Sequence, residues 1–125
     1  MPRQPQESGL LQGTLDTLIL RTLETSGPLH GYAIARRIET ASGEQWKIEE
    51  GSLYPALRRL EQRADVEAQW APSQTGRRAR VYSLTRAGRR RLSDAKRDWA
   101  ALASTMQSFL GLSPRAQMTI RGTTA

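Results

Sequence analysis

Residues 49–61, Glu49-Glu50-Gly51-Ser52-Leu53-Tyr54-Pro55-Ala56-Leu57-Arg58-Arg59-Leu60-Glu61, form the stretch from which the architecture of this chain is read. Leu53, Ala56, Leu57 and Leu60 recur at i, i+3, i+4 and i+7, which places them on one face of a helix. The opposite face carries Tyr54, Arg58, Arg59 and Gln62, side chains that stack, hydrogen-bond or neutralise an external group. Two carboxylates and a Gly-Ser pair stand at the start, where negative charge and a capping hydroxyl suit the helix dipole. Pro55 is expected within the first turn, where a missing N–H costs little. A short helix, apolar on one side and bearing Arg and Tyr on the other, has the dimensions and chemistry that reading a DNA major groove requires.

Upstream, Leu11, Leu15, Leu18, Ile19 and Leu23 make a helical stripe that Leu10 and Leu20 widen. This predicts a first helix from about Leu10 to Thr25, stopped by Ser26-Gly27-Pro28. The stripe is broader than one small core needs, so part of it is expected to meet a partner chain. A second helix is predicted from about His30 to Ala41, burying Ala33 or Ile34, Ile38 and Ala41, with Ser42-Gly43 as its stop. Downstream the period switches to two. Val66, Ala68 and Trp70 alternate with Glu67, Gln69 and Ala71, and Tyr82 and Leu84 alternate with Val81 and Ser83. The turn-rich Pro72 to Arg78 between them predicts a β-hairpin with Arg77 and Arg78 at its tip. Thr85 then caps a long last helix, on which Leu92, Ala95, Trp99, Leu102, Met106 and Phe109 form a heptad seam.

Three helices, a hairpin and a long helix give an α+β, mostly α fold: a winged helix-turn-helix with a hairpin wing and a C-terminal dimerisation helix. The expected organisation is a flexible arm over 1–9, a winged helix-turn-helix over 10–84, a dimerisation helix over 85–110 and a disordered tail over 111–125. Leu11, Leu15, Leu92, Ala95, Trp99, Leu102, Met106 and Phe109 are the expected dimerisation residues.

With 125 residues the chain suits a single modest core, and its formal charge of +7 favours a polyanionic partner. Nine of the 19 basic residues fall between Arg77 and Arg97, against one acid, Asp94. Part of that run is expected to be a solvated helix face. Arg77 and Arg78 differ, because a hairpin tip covers no core, and phosphate or minor-groove contact is their expected use. Arg58 and Arg59 have an alternative as ion-pair partners of Glu61 or Glu50, and Tyr54 has one as a half-buried ring against the hairpin. Ser52 is expected to cap its helix, where a hydroxyl also reaches a phosphate.

There are no cysteines, so thiolate metal sites and disulfides are excluded. The lone His30 lacks partners for a metal site or a catalytic constellation, and a capping or packing role is expected. No cofactor and no enzymatic activity are expected. The polar, Pro/Gln-containing start resembles no signal peptide, and no run approaches the length needed to span a bilayer. The chain reads as cytoplasmic, without a membrane partner.

Four segments taken together resemble the PadR-like transcriptional regulators of bacteria. They are Gly13-Thr14-Leu15-Asp16-Thr17-Leu18-Ile19-Leu20, Pro28-Leu29-His30-Gly31-Tyr32, Glu49 to Leu57, and Gly76-Arg77-Arg78-Ala79-Arg80-Val81-Tyr82-Ser83-Leu84-Thr85-Arg86-Ala87-Gly88. In order and with family spacing, they cover residues 10 to about 92. The resemblance implies a homodimeric winged-helix repressor of a palindromic double-stranded DNA operator, with the first and last helices building the dimer. It makes Ser52, Tyr54 and Pro55 of the recognition-helix motif the first candidates for DNA contact, beside Arg58 and Arg59 that the helix face already offers, and places Arg77 and Arg78 on the wing tip. It also implies a small planar aromatic effector as a candidate partner, stacked on Trp99 between subunits. One departure is Ala64, where the family usually has glycine. A left-handed backbone there costs alanine on the order of 1 kcal/mol, unless Asp65 takes the strained conformation instead.

A competing reading from another class is a winged-helix interaction module whose basic face binds an acidic protein surface. Affinity for random duplex at low salt separates the two. Association of the basic last helix with anionic membrane is a weaker alternative, because heptad spacing suits a partner helix better.

Overall fold

The computed structural model describes residues 9–72 and 75–112, with the side chains of residues 9–12 outside that description. The first helix, α1 (Gly9–Ser26), buries Leu15, Ile19, Leu20 and Leu23, and Leu18 packs partly against them. It stops at Gly27, which takes φ +82° and donates its N–H to the Leu23 carbonyl at 3.0 Å. Two extended residues follow as β1 (Leu29–His30), a strand that the sequence pattern did not announce. The second helix, α2 (Gly31–Ala41), buries Ile34, Ala35 and Ile38. Ala41, expected inside, is exposed, and Ala35 takes its place because it adjoins Ile34 and Ile38 on the helical face.

Glu39 organises the connector to the next helix. Its Oε2 accepts the Ile48 N–H at 2.8 Å, and its Oε1 accepts a hydrogen bond from Arg36 at 2.7 Å. The backbone donor first, and the guanidinium second, hold this carboxyl below its usual value.

The third helix, α3 (Glu50–Gln62), buries Leu53, Ala56, Leu57 and Leu60, the four residues predicted from their spacing. Its start differs from expectation. Glu49 occupies the cap position without a side-chain hydrogen bond, and Ser52 is the third helical residue rather than the cap. Pro55 is therefore the sixth residue, in the second turn, and leaves the carbonyl of the exposed Gly51 without its i+4 donor. At the other end Asp65 N–H bonds the Leu60 carbonyl at 2.9 Å and Ala64 N–H the Glu61 carbonyl at 3.0 Å, a Schellman closure. Ala64 takes φ +66°, so the left-handed conformation falls on alanine and not on Asp65.

The hairpin comprises β2 (Val66–Pro72) and β3 (Arg78–Leu84), antiparallel with Val66 opposite Leu84 and Pro72 opposite Arg78. β1 pairs with the other edge of β3, Leu29 opposite Tyr82, giving the sheet order β1-β3-β2. Val66 and Tyr82 reach the core, whereas Trp70, on the same alternation as Val66, is 57% exposed because the strand has run past the helices. With three helices and this wing, the architecture is the mostly helical winged helix-turn-helix expected from the sequence.

The last helix, α4 (Arg86–Phe109), begins at a tight junction. The Thr85 hydroxyl accepts the Gly88 N–H at 2.9 Å, the predicted cap, and lies 2.7 and 3.0 Å from the Ala64 and Asp65 carbonyls. A side chain at Gly88 would place its Cβ 2.1 Å from the Asp65 carbonyl oxygen, so only glycine fits. The Asp65 carboxylate is buried, with Arg91 Nε 2.7 Å from Oδ2 as an ion contact and no directed hydrogen bond to either oxygen.

The chain divides into two compact units between Leu92 and Ser93, within α4. Leu92 is 1% exposed and Leu15 4% exposed in the first unit's core, so neither is available as an intersubunit contact. Their apolar side chains are consumed by the fold of one subunit. Leu11 lies outside the described side chains. In the second unit Trp99, Leu102, Met106 and Phe109 are exposed and Ala95 is half-buried. Gly111, with φ +77°, closes the helix as Leu112 N–H bonds the Gln107 carbonyl at 2.7 Å. Of the arm expected over 1–9 only Gly9 is described, as the first residue of α1, and of the tail expected over 111–125 only Gly111 and Leu112; the rest of both lies outside the described residues.

Two stability measurements follow from these contacts. Ala64→Gly relieves the left-handed alanine and should stabilise by about 1 kcal/mol, a rise of a few degrees in Tm; a lower Tm would contradict the strain. The depressed Glu39 carboxyl contributes stability that is complete above its unfolded value of about 4.5 and is lost as pH falls through the lower folded value. Glu39→Gln should therefore show a shallower fall of Tm on acidification below about pH 4.5 than the parent chain.

Candidate nucleic-acid interface

α2, α3 and the hairpin enclose an open concavity of about 1040 Å³. α2 contributes Tyr32, Arg36 and Arg37, α3 contributes Tyr54, Arg58 and Glu61, and the hairpin contributes Trp70, Thr75 and Arg80. Tyr54 and Arg58 reach it because they are four residues apart on the α3 face opposite Leu53, Ala56, Leu57 and Leu60. Tyr54 is 42% exposed, and its ring lies so close to Gly31 that a Cβ there would be 3.0 Å from Cε1. This contact holds the phenol at the base of the concavity. Partial burial, and next the Glu50 charge, raise its pKa, keeping the hydroxyl protonated and able to donate at neutral pH.

Arg59 does not join this site. Its Nη2 donates to Asp16 Oδ1 of α1 at 2.8 Å, and Arg63 Nη1 approaches Asp16 Oδ2 at 3.5 Å. One residue on from Arg58, the helix has turned by about 100° toward α1, so Arg59 ties two helices together. Its ion-pair partner is thus neither Glu61 nor Glu50. Ser52 is half-buried and Pro55 exposed on α3, and neither belongs to the lining of the concavity.

The wing also departs from expectation. Arg77 is exposed in the turn, but Arg78 is already in β3, opposite Pro72. Its guanidinium lies 5.6 Å from the Trp70 ring centroid, and that of Arg80 lies 5.7 Å away. Arg80 Nη2 also donates to Glu61 Oε2 at 2.6 Å, joining the wing to α3. Instead of two arginines at a bare tip, the hairpin has one there and two stacked beside an indole.

His30 occupies the cap position of α2 but makes no side-chain capping bond, and its buried Nε2 has no hydrogen-bond partner. Among the described residues no three His, Cys, Asp or Glu side chains are placed to hold a metal ion, and no helix is long and apolar enough to cross a membrane. Within the basic run of α4, Arg91 contacts Asp65 and Arg97 pairs with Asp94 at 2.5 Å. Tyr32, Arg36, Arg37, Trp70, Arg80 and Glu61 were not anticipated as site residues. For Trp70 and Arg80 a signal existed: folding the hairpin about Gly76 sets them opposite each other. The α2 residues gave none, because only the crossing of α2 over α3 brings them in.

Comparison with known proteins agrees with the fold. The profile of the transcriptional regulator PadR-like family matches residues 19–94. A transcriptional regulator from Clostridium thermocellum has a similar structure, with a TM-score of 0.73 and 27% identity, covering 82% of this chain and 98% of its own. A PadR family transcription regulator from Clostridium difficile superposes with a TM-score of 0.67 at 30% identity, covering 78% of this chain and 99% of that one. An uncharacterized protein of Lysinibacillus sphaericus is 28% identical over 103 residues, 82% of this chain and 94% of that protein.

Proposed function

The chain belongs to the PadR-like family of transcriptional regulators, and from that membership we propose that it is a cytoplasmic, homodimeric repressor that binds a palindromic operator. The observation that carries the DNA reading is the shared concavity of Tyr54, Arg58 and the wing. α3 enters the major groove, where Tyr54 and Arg58 meet base edges or the adjoining backbone. Ser52 precedes them in the first turn of α3, Pro55 lies between them in the second, and Arg77 at the hairpin turn contacts phosphate. Arg59 leaves the contact set, and Arg78 serves the wing through Trp70.

The exposed stripe of Trp99, Leu102, Met106 and Phe109 supports the dimer. Its steps of three and four residues suit a partner helix, and an unpaired stripe of this kind is an aggregation liability. Ala95 borders it. Residues 10–92 then act as the DNA-binding half and the rest of α4 as the dimerisation element. Two copies set their α3 helices about 34 Å apart, in successive major grooves. A planar aromatic effector stacking on Trp99 would act on that spacing.

Operator selection from random duplex, followed by binding titrations over salt, tests the reading. Tyr54→Ala should lose the selected site preferentially. Arg77→Ala should weaken selected and random DNA alike and reduce the salt slope by about 1. Failure of the parent chain to bind any duplex at low salt, with capture of an acidic protein surface instead, would replace this function by the interaction-module reading. For the dimer, Trp99→Asp should give monomers or insoluble protein by light scattering, and a soluble dimer of unchanged affinity would remove the seam.

A further inference from the structure

Glu61 is the only acid among the described residues that line the concavity, which it shares with Arg36, Arg37, Arg58 and Arg80. A site built solely to attract phosphate has no use for a carboxylate in its lining. Its neighbours show what it does. Glu61 Oε2 accepts a hydrogen bond from Arg80 Nη2 at 2.6 Å, and both side chains remain a little more than one third exposed. On the far side, the Arg80 guanidinium lies over the Trp70 ring, 5.7 Å from its centroid, and Arg78 stands at 5.6 Å from the same ring. Arg80 is thus fixed between an anion and an aromatic face, with its charge already matched, and its Nε is buried without a partner. A phosphate entering beside Tyr54 and Arg58 would meet a neutralised arginine and a negative carboxylate.

Resting on the DNA-binding function above, we propose that Glu61 is an affinity-setting residue that holds Arg80 away from phosphate and so weakens the sequence-independent part of DNA binding. Affinity for random DNA is almost wholly phosphate electrostatics, whereas base contacts discriminate. By withholding Arg80 and repelling phosphate, Glu61 lowers the phosphate share of the binding energy, which operator and random duplex have in common. Trp70 is a positioning residue in the same device, since its ring keeps the Arg80 guanidinium at the carboxylate.

The test measures binding of the full-length chain to random and operator duplexes over a range of salt, with Tm recorded for every variant. Glu61→Gln keeps the shape and removes the charge, freeing Arg80 for phosphate. Random-duplex affinity should rise by about tenfold at 0.1 M salt and the salt slope should steepen by about 1, as expected for one added phosphate contact. Operator affinity should rise by a similar factor, because the added phosphate contact is common to both duplexes. Glu61→Gln combined with Arg80→Gln should return the slope to the parent value. A slope shallower than the parent's by about 1 in that double variant would show that Arg80 contacts phosphate in the parent and overturn the proposal. Equal weakening on both duplexes in Glu61→Gln, with unchanged slope, would mean a purely structural brace and overturn it as well. A parent chain that retards no duplex would fail at the earlier step, as a failure of the DNA-binding function itself.

Discussion

The first unit depends on the closeness of the Gly88 backbone to the Asp65 carbonyl, where a side chain of even one carbon would sit 2.1 Å from oxygen. Four elements meet at that point. The end of α3, the start of β2, the end of β3 and the first turn of α4 share the Thr85 hydroxyl, the Ala64 and Asp65 carbonyls and the Arg91–Asp65 contact. Because β2 leaves and β3 returns within a few ångströms of one locus, the hairpin has little freedom to pivot relative to α3. The concavity inherits its shape from this junction.

A formal charge of +7 says little about how much positive potential is presented to a partner. Arg59 serves Asp16, Arg36 serves Glu39, Arg80 serves Glu61 and Arg91 serves Asp65. Three of these pairs join different elements, α1 to α3, α3 to β3 and the α3–β2 junction to α4, so basic residues that look like a nucleic-acid footprint also brace the fold. Exposed pairs of this kind are individually weak. The Asp16–Arg59 and Asp65–Arg91 pairs matter more, since removing one partner leaves a buried charge uncompensated.

Much of this architecture is legible in the amino-acid sequence. The faces of α1 and α3, the cap at Thr85 and the hairpin all follow from local periodicity and backbone chemistry, which act over a few residues. The left-handed position at Ala64 follows from the glycine that the family usually carries there. What escaped is set by packing over longer distances. Leu15 and Leu92 fit a dimer seam by spacing, but spacing cannot say which neighbour fills it, and the chain's own core does. Arg58 and Arg59 look equivalent in a line of text, yet one helical step separates an exposed guanidinium from one held by α1. β1 was invisible because two residues carry no period. Ser52 and Pro55 were misplaced for a simpler reason: the helix starts at Glu50, earlier than a cap at Ser52 implies.

The sheet order leaves β2 as a long edge with no neighbour beyond it among the described residues. Such an edge invites strand addition from another molecule. Glu67 places a charge on the open strand, and Pro72 ends it with a residue that has no N–H to offer. The open strand thus carries a charge and a missing donor, two features that disfavour its use as a template for strand addition.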